Sequence, residues 1–185
     1  MIQQAKAGDD RAFAQLMQAS EKLVYNLTLR MTGNPDDAMD LAQETFLNAW
    51  KGLKFFKGDS AFSTWVYRLA NNACIDHLRK AKRRYDISLS MPADPEGASL
   101  PDVPDERYRP DVQLERQENR RAVEAGLARL SDEHRQVLVM REITCLSYQE
   151  IGDILDLESG TVKSRIARAR LALRKILLED GNFSL

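Results

Sequence analysis

Apolar positions recur three and four residues apart over most of this chain, which is the pattern of amphipathic helices. In the first half the pattern predicts one bent helix or two consecutive helices over 9–33, ending at Gly33. Asn34 and Pro35 then mark a helix start, because asparagine caps free amides and proline fits the first turn. This next helix is predicted to extend to about Phe56.

The remaining elements follow from the same periodicity. Residues 57–60 (KGDS) predict a turn, and a long helix should span about 63–84. Farther along, Ser147 and Glu150 form a capping box at the start of a short helix. Ser159 is the predicted N-cap of the helix after it, so this pair is expected to be a helix-turn-helix. No run of β-branched residues alternates as a strand would, and the predicted fold class is all-α.

A change in composition separates two helical halves. Residues 92–118 contain five of the six prolines, eight acidic residues and three basic ones, and their few apolar side chains lack helical periodicity. We therefore expect two small helical domains, 1–86 and 114–185, joined by an extended acidic linker, 87–113. The alternative for this linker is an inert disordered spacer.

The overall composition indicates a soluble protein without a metal centre. The chain has 185 residues, a net charge of −1 and a 43% hydrophobic share. Cys74 and Cys145 lack metal-ligand spacing, and both are expected to be buried thiols in a reducing compartment. No apolar run reaches membrane-spanning length, and the N-terminus does not resemble a signal peptide. We expect a cytoplasmic protein with no cofactor and no membrane insertion.

Positive charge is concentrated on the last predicted helix. Six basic residues and no acidic residue lie within 161–178. In a helix-turn-helix the start of the second helix enters the major groove, where basic side chains reach guanine edges and phosphates. A basic, solvated helix of an ordinary bundle is the alternative. The candidate DNA-contacting residues on this helix are Ser159, Gly160, Thr161, Lys163, Ser164, Arg165 and Arg168.

The first half interleaves aromatic with basic and amide side chains, a mixture suited to stacking single-stranded bases. The alternative is that the aromatic residues, Trp65 above all, belong to the core. Basic residues also cluster at 79–84, where the dipole of a helix C-terminus could favour them. The interleaved residues are Lys54, Phe55, Phe56, Lys57, Phe62, Trp65, Tyr67, Arg68, Asn71 and Asn72.

No set of residues suggests an enzyme. The two histidines, His77 and His134, have no accompanying Ser/His/Asp set, glycine-rich phosphate loop or metal cluster. Both are interpreted as surface residues, and the chain is predicted to be a non-enzyme.

Two segments together resemble the extracytoplasmic-function group of bacterial σ70-family sigma factors. They are DLAQETFLNAWKGLKFFKGDSAFSTWVYRLANNACIDHLRK (40–80) and LSDEHRQVLVMREITCLSYQEIGDILDLESGTVKSRIARARLALRKIL (130–177). The resemblance covers nearly everything except the linker. It implies an N-terminal σ2 domain, a C-terminal σ4 domain and promoter-specific transcription initiation with core RNA polymerase. A helix-turn-helix regulator that binds duplex DNA without joining the polymerase is the alternative.

The resemblance also implies roles for particular residues. Trp65 would support the loop that recognises the −10 element, and Arg135 would add a phosphate contact near the −35 element, which the helix from Ser159 would read. The implied polymerase-binding residues are Asp40, Gln43, Glu44, Phe46 and Leu47. The implied residues at the melted −10 element are Lys57, Ser60, Phe62, Ser63, Thr64, Arg68 and Asn71.

The family adds further partners and a role for the linker. Its acidic connector threads towards the active-site cleft of the polymerase, and an anti-sigma factor commonly holds σ2 and σ4 in an occluded state. Two positions depart from the family pattern. Ser131 replaces a frequent proline and still suits an N-cap, and Asp156 replaces a frequent glycine in the helix-turn-helix turn. Aspartate tolerates left-handed backbone geometry at some cost.

Overall fold

The computed structural model describes residues 1–88 and 110–179, and these residues form two helical halves. No strand occurs in these two ranges, so the all-α prediction is confirmed. Most of the predicted linker, 87–113, lies outside the described residues.

The first half is a bundle built on three long helices. Its boundaries follow from local chemistry: Asp9 accepts hydrogen bonds from the amides of Arg11 and Ala12, and Asn34 caps the next helix in the same way. The stretch 9–33, predicted as one bent helix or two, forms one long helix with Asp9 and Gly33 as its caps. The elements are α1 (Ile2–Lys6), α2 (Asp10–Thr32), α3 (Pro35–Gly52), a 3₁₀ turn (Leu53–Phe55) and α4 (Phe62–Ser88).

The second half is a helical unit that contains the helix-turn-helix. The capping box predicted at Ser147 and Glu150 is confirmed. Ser159 is the first helical residue and not the N-cap, because the Glu158 carbonyl already accepts the first helical hydrogen bond, from the Val162 amide at 3.0 Å. The elements are α5 (Pro110–Arg129), α6 (Asp132–Leu138), a π-helical turn (Val139–Ile143), α7 (Tyr148–Leu155) and α8 (Ser159–Glu179).

Helices α4 and α5 extend into the stretch predicted as linker. Helix α4 continues to Ser88, and α5 begins at Pro110. Proline is compatible with this start because the first-turn amide needs no helical acceptor.

The turn between α7 and α8 depends on a glycine that the sequence pattern did not single out. Asp156 adopts left-handed geometry (φ +56°, ψ +51°), which lets the Leu157 amide donate to the Gly152 carbonyl at 3.0 Å. A Cβ on Gly152 would lie 2.6 Å from the Leu157 carbonyl oxygen. Only glycine at residue 152 therefore lets the chain reverse this closely.

One buried apolar cluster runs through both halves. Helices α2, α3 and α4 pack against one another, α6 and α7 pack on α8, and α7 also packs on α4. The two halves are thus in direct contact in this structure. Fully buried members of the cluster include Val24, Leu27, Met31, Val66, Val137, Met140, Ile151 and Val162.

Replacing Gly152 by alanine is expected to destabilise the helix-turn-helix by roughly 1–3 kcal/mol, because the new methyl group meets backbone that cannot move aside. Thermal unfolding followed by circular dichroism measures this as a fall of several degrees in Tm. Gly160→Ala is the matched control, since a Cβ there meets nothing within 4 Å. Equal Tm values for the two variants would show that the turn tolerates a side chain.

Candidate nucleic-acid interface

The start of α8 presents a polar surface above a buried apolar stripe. Val162, Ile166 and Ala169 are buried against the rest of the second half, which fixes the rotation of the helix about its axis. The remaining positions of the first three turns therefore face outward. The exposed candidate residues are Ser159, Gly160, Thr161, Lys163, Ser164 and Arg168.

The arginines of α8 differ in how they are held. The Arg165 side chain is 22% exposed, with Nη2 lying 3.8 Å from a Glu133 carboxylate oxygen. Arg170 is paired with Glu142 at 2.6 Å. Arg168 makes only a long contact from Nε to the Ser164 carbonyl, 3.4 Å, and has no ion pair within the described ranges. Of these three arginines, Arg168 is therefore the most available to a phosphate or a base edge.

Arg135 lies away from this surface and has a structural role. Its side chain is buried, and its guanidinium donates to the carbonyl oxygens of Leu127 (2.9 Å), Ala128 (2.7 Å), Leu130 (3.3 Å) and Met31 (2.8 Å). The structure gives no support to the phosphate contact expected of Arg135, because in it backbone carbonyls already occupy the group that would bind phosphate. Burial lowers the pKa of this guanidinium from its ordinary value.

The −10 candidates lie in the loop before α4 and in the first turns of α4. They fall into two sets according to the exposure of their side chains. Those whose side chains reach solvent can meet a ligand directly, whereas the buried ones could do so only after the groups that cover them move away. Lys57, Ser63 and Arg68 are exposed and Ser60 is partly exposed. The buried candidates are Phe62, Thr64 and Asn71.

Most of the interleaved aromatic side chains belong to the core. Phe56, Phe62 and Trp65 pack edge to face or tilted, with ring centroids 5.0–6.0 Å apart, beneath the 57–61 loop. Trp65 is partly buried in this cluster, as its predicted supporting position requires. Phe55 is 72% exposed, with the Lys54 ammonium 4.8 Å from its ring centroid. The predicted stacking surface is thus reduced to Phe55.

The second half covers part of the −10 candidate surface. The Gln136 amide donates to the Asn71 side-chain oxygen at 2.6 Å in a buried contact, and Arg68 donates to the Asp153 carbonyl. These contacts join residues 65 and 85 positions apart in sequence. Since each involves a candidate from the first half, a ligand that used these groups would first have to displace the second half.

An ion pair also joins the halves. Arg30 on α2 contacts Glu124 on α5, and Arg120 lies 3.0 Å from the same carboxylate. Partial burial alone would raise the pKa of Glu124, but hydrogen bonds from the two arginines outweigh it and hold that pKa below its ordinary value. The carboxylate is therefore charged at neutral pH and strengthens the contact between the halves.

Helix α3 exposes a mixed polar and apolar surface. Of the predicted polymerase-binding residues, Phe46 is 7% exposed and lies beneath this surface, while the others reach solvent. Met39 (63% exposed) and Trp50 (39%) extend it, although the sequence prediction missed them. The sequence contained a signal for them, because Met39, Gln43, Leu47 and Trp50 are spaced at i, i+4, i+8 and i+11 and so share one face of the helix.

The remaining candidate chemistry is limited. Cys74 is buried, and its burial raises its pKa to about 12. Cys145 is exposed, so the prediction of two buried thiols is wrong for Cys145.

Across the described ranges, no three His, Cys, Asp or Glu side chains are grouped as metal ligands. No helix in these ranges is long and apolar enough to cross a membrane.

Comparisons with known proteins agree with this two-part architecture. Residues 16–84 match sigma-70 region 2, and residues 120–173 match sigma-70 region 4. The ECF RNA polymerase sigma factor SigW of Bacillus subtilis is 38% identical over 95% of this chain and 94% of its own length. The ECF RNA polymerase sigma-E factor of Escherichia coli is 34% identical over 94% of this chain and 90% of its own.

Solved structures show the same fold over nearly the whole chain. CnrH, in complex with the cytosolic domain of CnrY, is 27% identical with a TM-score of 0.68, covering 97% of this chain and 96% of CnrH. The sigma factor RpoE, in complex with the anti-sigma factor NepR from Bartonella quintana, has a TM-score of 0.70 at 23% identity. That match covers 90% of this chain and 97% of RpoE.

The two matched regions, in this order and in one chain, define a σ70-family sigma factor. The whole-length relatives place the chain in the extracytoplasmic-function (ECF) group of that family. It is a dissociable subunit that binds core RNA polymerase and directs promoter-specific initiation, and sigma factors are non-enzymatic. The comparisons do not support the alternative of an independent helix-turn-helix regulator.

Arg135→Ala is expected to lower the free energy of unfolding by roughly 2–4 kcal/mol, because it leaves four carbonyls without their charged donor. Urea unfolding followed by circular dichroism measures the change. The exposed Arg168→Ala variant is the control and should stay within about 0.5 kcal/mol of the parent protein. A similar stability for both variants would return Arg135 to the list of DNA-contact candidates.

Proposed function

We propose that the exposed start of α8 reads the −35 element and that the loop before α4, with the first turns of α4, binds the melted −10 element. The observation that carries this proposal is the presence of both sigma regions, each with an exposed basic surface, in one chain. The protein itself catalyses nothing, since the polymerase makes the RNA. It acts in the cytoplasm, where polymerase and promoter DNA are present.

The surface of α8 supports recognition of duplex DNA. Its N-terminal residues are small or hydroxylated, so the backbone can approach the groove closely. Lys163 and Arg168 carry positive charge without an ion pair among the described side chains, while Ser159, Thr161 and Ser164 supply hydroxyl groups. Arg165, partly held by Glu133, can turn outward once DNA competes for it. Arg135 is left out of this surface.

The −10 surface supports binding of an unpaired strand. Lys57, Ser60, Ser63 and Arg68 provide polar groups along its rim. Phe62 and Thr64 lie beneath that rim and hold its shape, and a flipped base can stack on exposed rings such as Phe55. Unstacking a base costs a few kcal/mol, which these contacts must offset.

Helix α3 supports binding to core polymerase. Asp40, Gln43, Glu44 and Leu47 form an exposed surface that mixes polar with apolar groups, as protein interfaces do. Phe46 anchors this surface from below, and Met39 and Trp50 enlarge it. We assign the clamp of the largest polymerase subunit as the partner, as the family resemblance implies.

The packing of the two halves supports a closed state that must open before promoter binding. Asn71 and Arg68 are engaged by Gln136 and Asp153, so both groups have to be released before a DNA strand can use them. RpoE, which shares this fold, was solved with an anti-sigma factor. We propose that an anti-sigma factor likewise holds this chain closed, and that core polymerase favours the open form. The acidic linker, on this proposal, enters the polymerase cleft.

Promoter binding is expected only in the presence of core polymerase. A promoter is first selected by the reconstituted holoenzyme from a library with random −10 and −35 segments. Gel shifts then compare the isolated chain with the holoenzyme, and run-off transcription tests initiation. A near-neutral chain with few phosphate contacts per domain should bind weakly alone. Equally tight binding without polymerase, or no run-off product from any selected promoter, would contradict the proposal.

Arg168→Ala is expected to reduce initiation from that promoter by roughly 5- to 150-fold, because one base or phosphate contact contributes about 1–3 kcal/mol. Run-off transcription at moderate salt measures the loss. Arg170→Ala is the matched control on the same helix, since Arg170 is held by Glu142. Unchanged initiation by Arg168→Ala and by Arg165→Ala would show that α8 is not the reading helix.

A further inference from the structure

The first helix of the chain lies against the segment that leads into the loop before α4, residues 57–61. Ala5 belongs to the apolar cluster and Ile2 packs against it, which places α1 on α2 and on the 3₁₀ turn. A helix of five residues does not form by itself in water, so these contacts hold it in place. Lys6, next to Ala5, is thereby brought to the end of the 3₁₀ turn.

The backbone that follows Lys6 fixes its position relative to α2. The Gly8 amide donates to the Ala5 carbonyl at 3.1 Å, and the Asp9 amide donates to the Gln4 carbonyl at 3.0 Å. Asp9 then caps α2 with its side chain. Lys6 therefore lies three residues before a capped helix, on a turn that is closed by its own hydrogen bonds.

The Lys6 ammonium holds the last backbone carbonyl before the loop. Its Nζ donates to the Phe56 carbonyl oxygen and lies 5.8 Å from the centroid of the Phe56 ring. The ring itself is buried and packs against Phe62 and Trp65. Because the peptide bond is planar, fixing this carbonyl also fixes the direction in which the chain continues to Lys57.

The loop has few other contacts that could hold its shape. The Ser60 hydroxyl makes a long contact of 3.4 Å to the Ala61 carbonyl, and no other side chain of 57–61 forms a hydrogen bond or an ion pair with a described residue. Gly58 adds backbone freedom at φ +88°. The conformation of the loop therefore depends on its two anchored ends, Phe56 and Phe62.

We propose that Lys6 is a positioning residue for the melted −10 strand. By holding the Phe56 carbonyl, it keeps the 57–61 loop in the shape that presents Lys57 and Ser60 to the strand, and it does so without touching DNA. This inference rests on the proposed function. Without Lys6 the loop samples other shapes, so the fraction of the protein that is competent to bind the strand falls. The apparent affinity falls by the same factor.

The test measures holoenzyme binding to two labelled fragments of the selected promoter by fluorescence anisotropy. One fragment is the single non-template strand of the −10 element, and the other is the −35 duplex. Lys6→Met keeps the length of the side chain and removes the ammonium. It should weaken binding of the −10 strand by roughly 3- to 30-fold, because one partly exposed hydrogen bond from a charged donor is lost. Binding of the −35 duplex should keep its parental value.

Two variants and the salt dependence separate positioning from charge. Lys6→Arg keeps a charged donor and should retain most of the affinity for the −10 strand. Lys22→Met removes an equal charge from an exposed site on α2 and should match the parent. Losing a direct phosphate contact with a single strand would lower the slope of log K against log salt concentration by about 0.7, whereas loss of a positioning residue leaves the slope unchanged.

Three results would overturn the inference while the proposed function stands. They are parental binding of the −10 strand by Lys6→Met, a slope lowered by about 0.7 in that variant, and equal weakening of its binding to both fragments. The last result would mean that Lys6 supports only the general stability of the chain. If the parent holoenzyme binds neither fragment, the proposed function fails and the inference fails with it.

Discussion

The buried guanidinium of Arg135 ties the two halves of the chain together through backbone carbonyls. Three of its acceptors lie at the end of α5, where carbonyls lack the amide four residues on that a continuing helix would supply, and the fourth is Met31 near the end of α2. A cation at two helix C-termini is also favoured by both dipoles. One side chain thus completes a helix in the second half and fixes where the first half docks.

Arg135 fixes the position of α6, and this position brings Gln136 and α7 against the surface proposed to bind the −10 element. Gln136, next to Arg135 in sequence, reaches Asn71, and α7 then lies against α4 so that Arg68 meets Asp153. The contacts that close the chain combine these polar groups with the shared apolar cluster. On the proposed function, contacts with polymerase and promoter DNA replace them when the chain opens.

The helix boundaries and the buried face of α8 could be predicted from the sequence because they depend on residues close together in the chain. The capping box at Ser147, the cap at Asn34 and the apolar spacing in α8 each act within a few residues, and the structure confirms them. The contacts of Arg135 and Gln136 could not be predicted in this way, because their partners lie up to 104 residues away in sequence. Hydrophobic periodicity contains no information about such distant contacts. Gly152 was missed for a related reason: its crowding arises from a carbonyl brought back by the turn.

Pulsed electron paramagnetic resonance between the halves tests the central claim, that closure and promoter binding exclude each other. Spin labels at Arg11→Cys and Lys175→Cys report the separation of α2 from α8, and both positions are exposed. The labels are placed in a Cys145→Asn background, which removes the exposed native thiol and suits its left-handed backbone. One short distance is expected in the free chain and a longer one in the transcribing complex. The same short distance in both would contradict it.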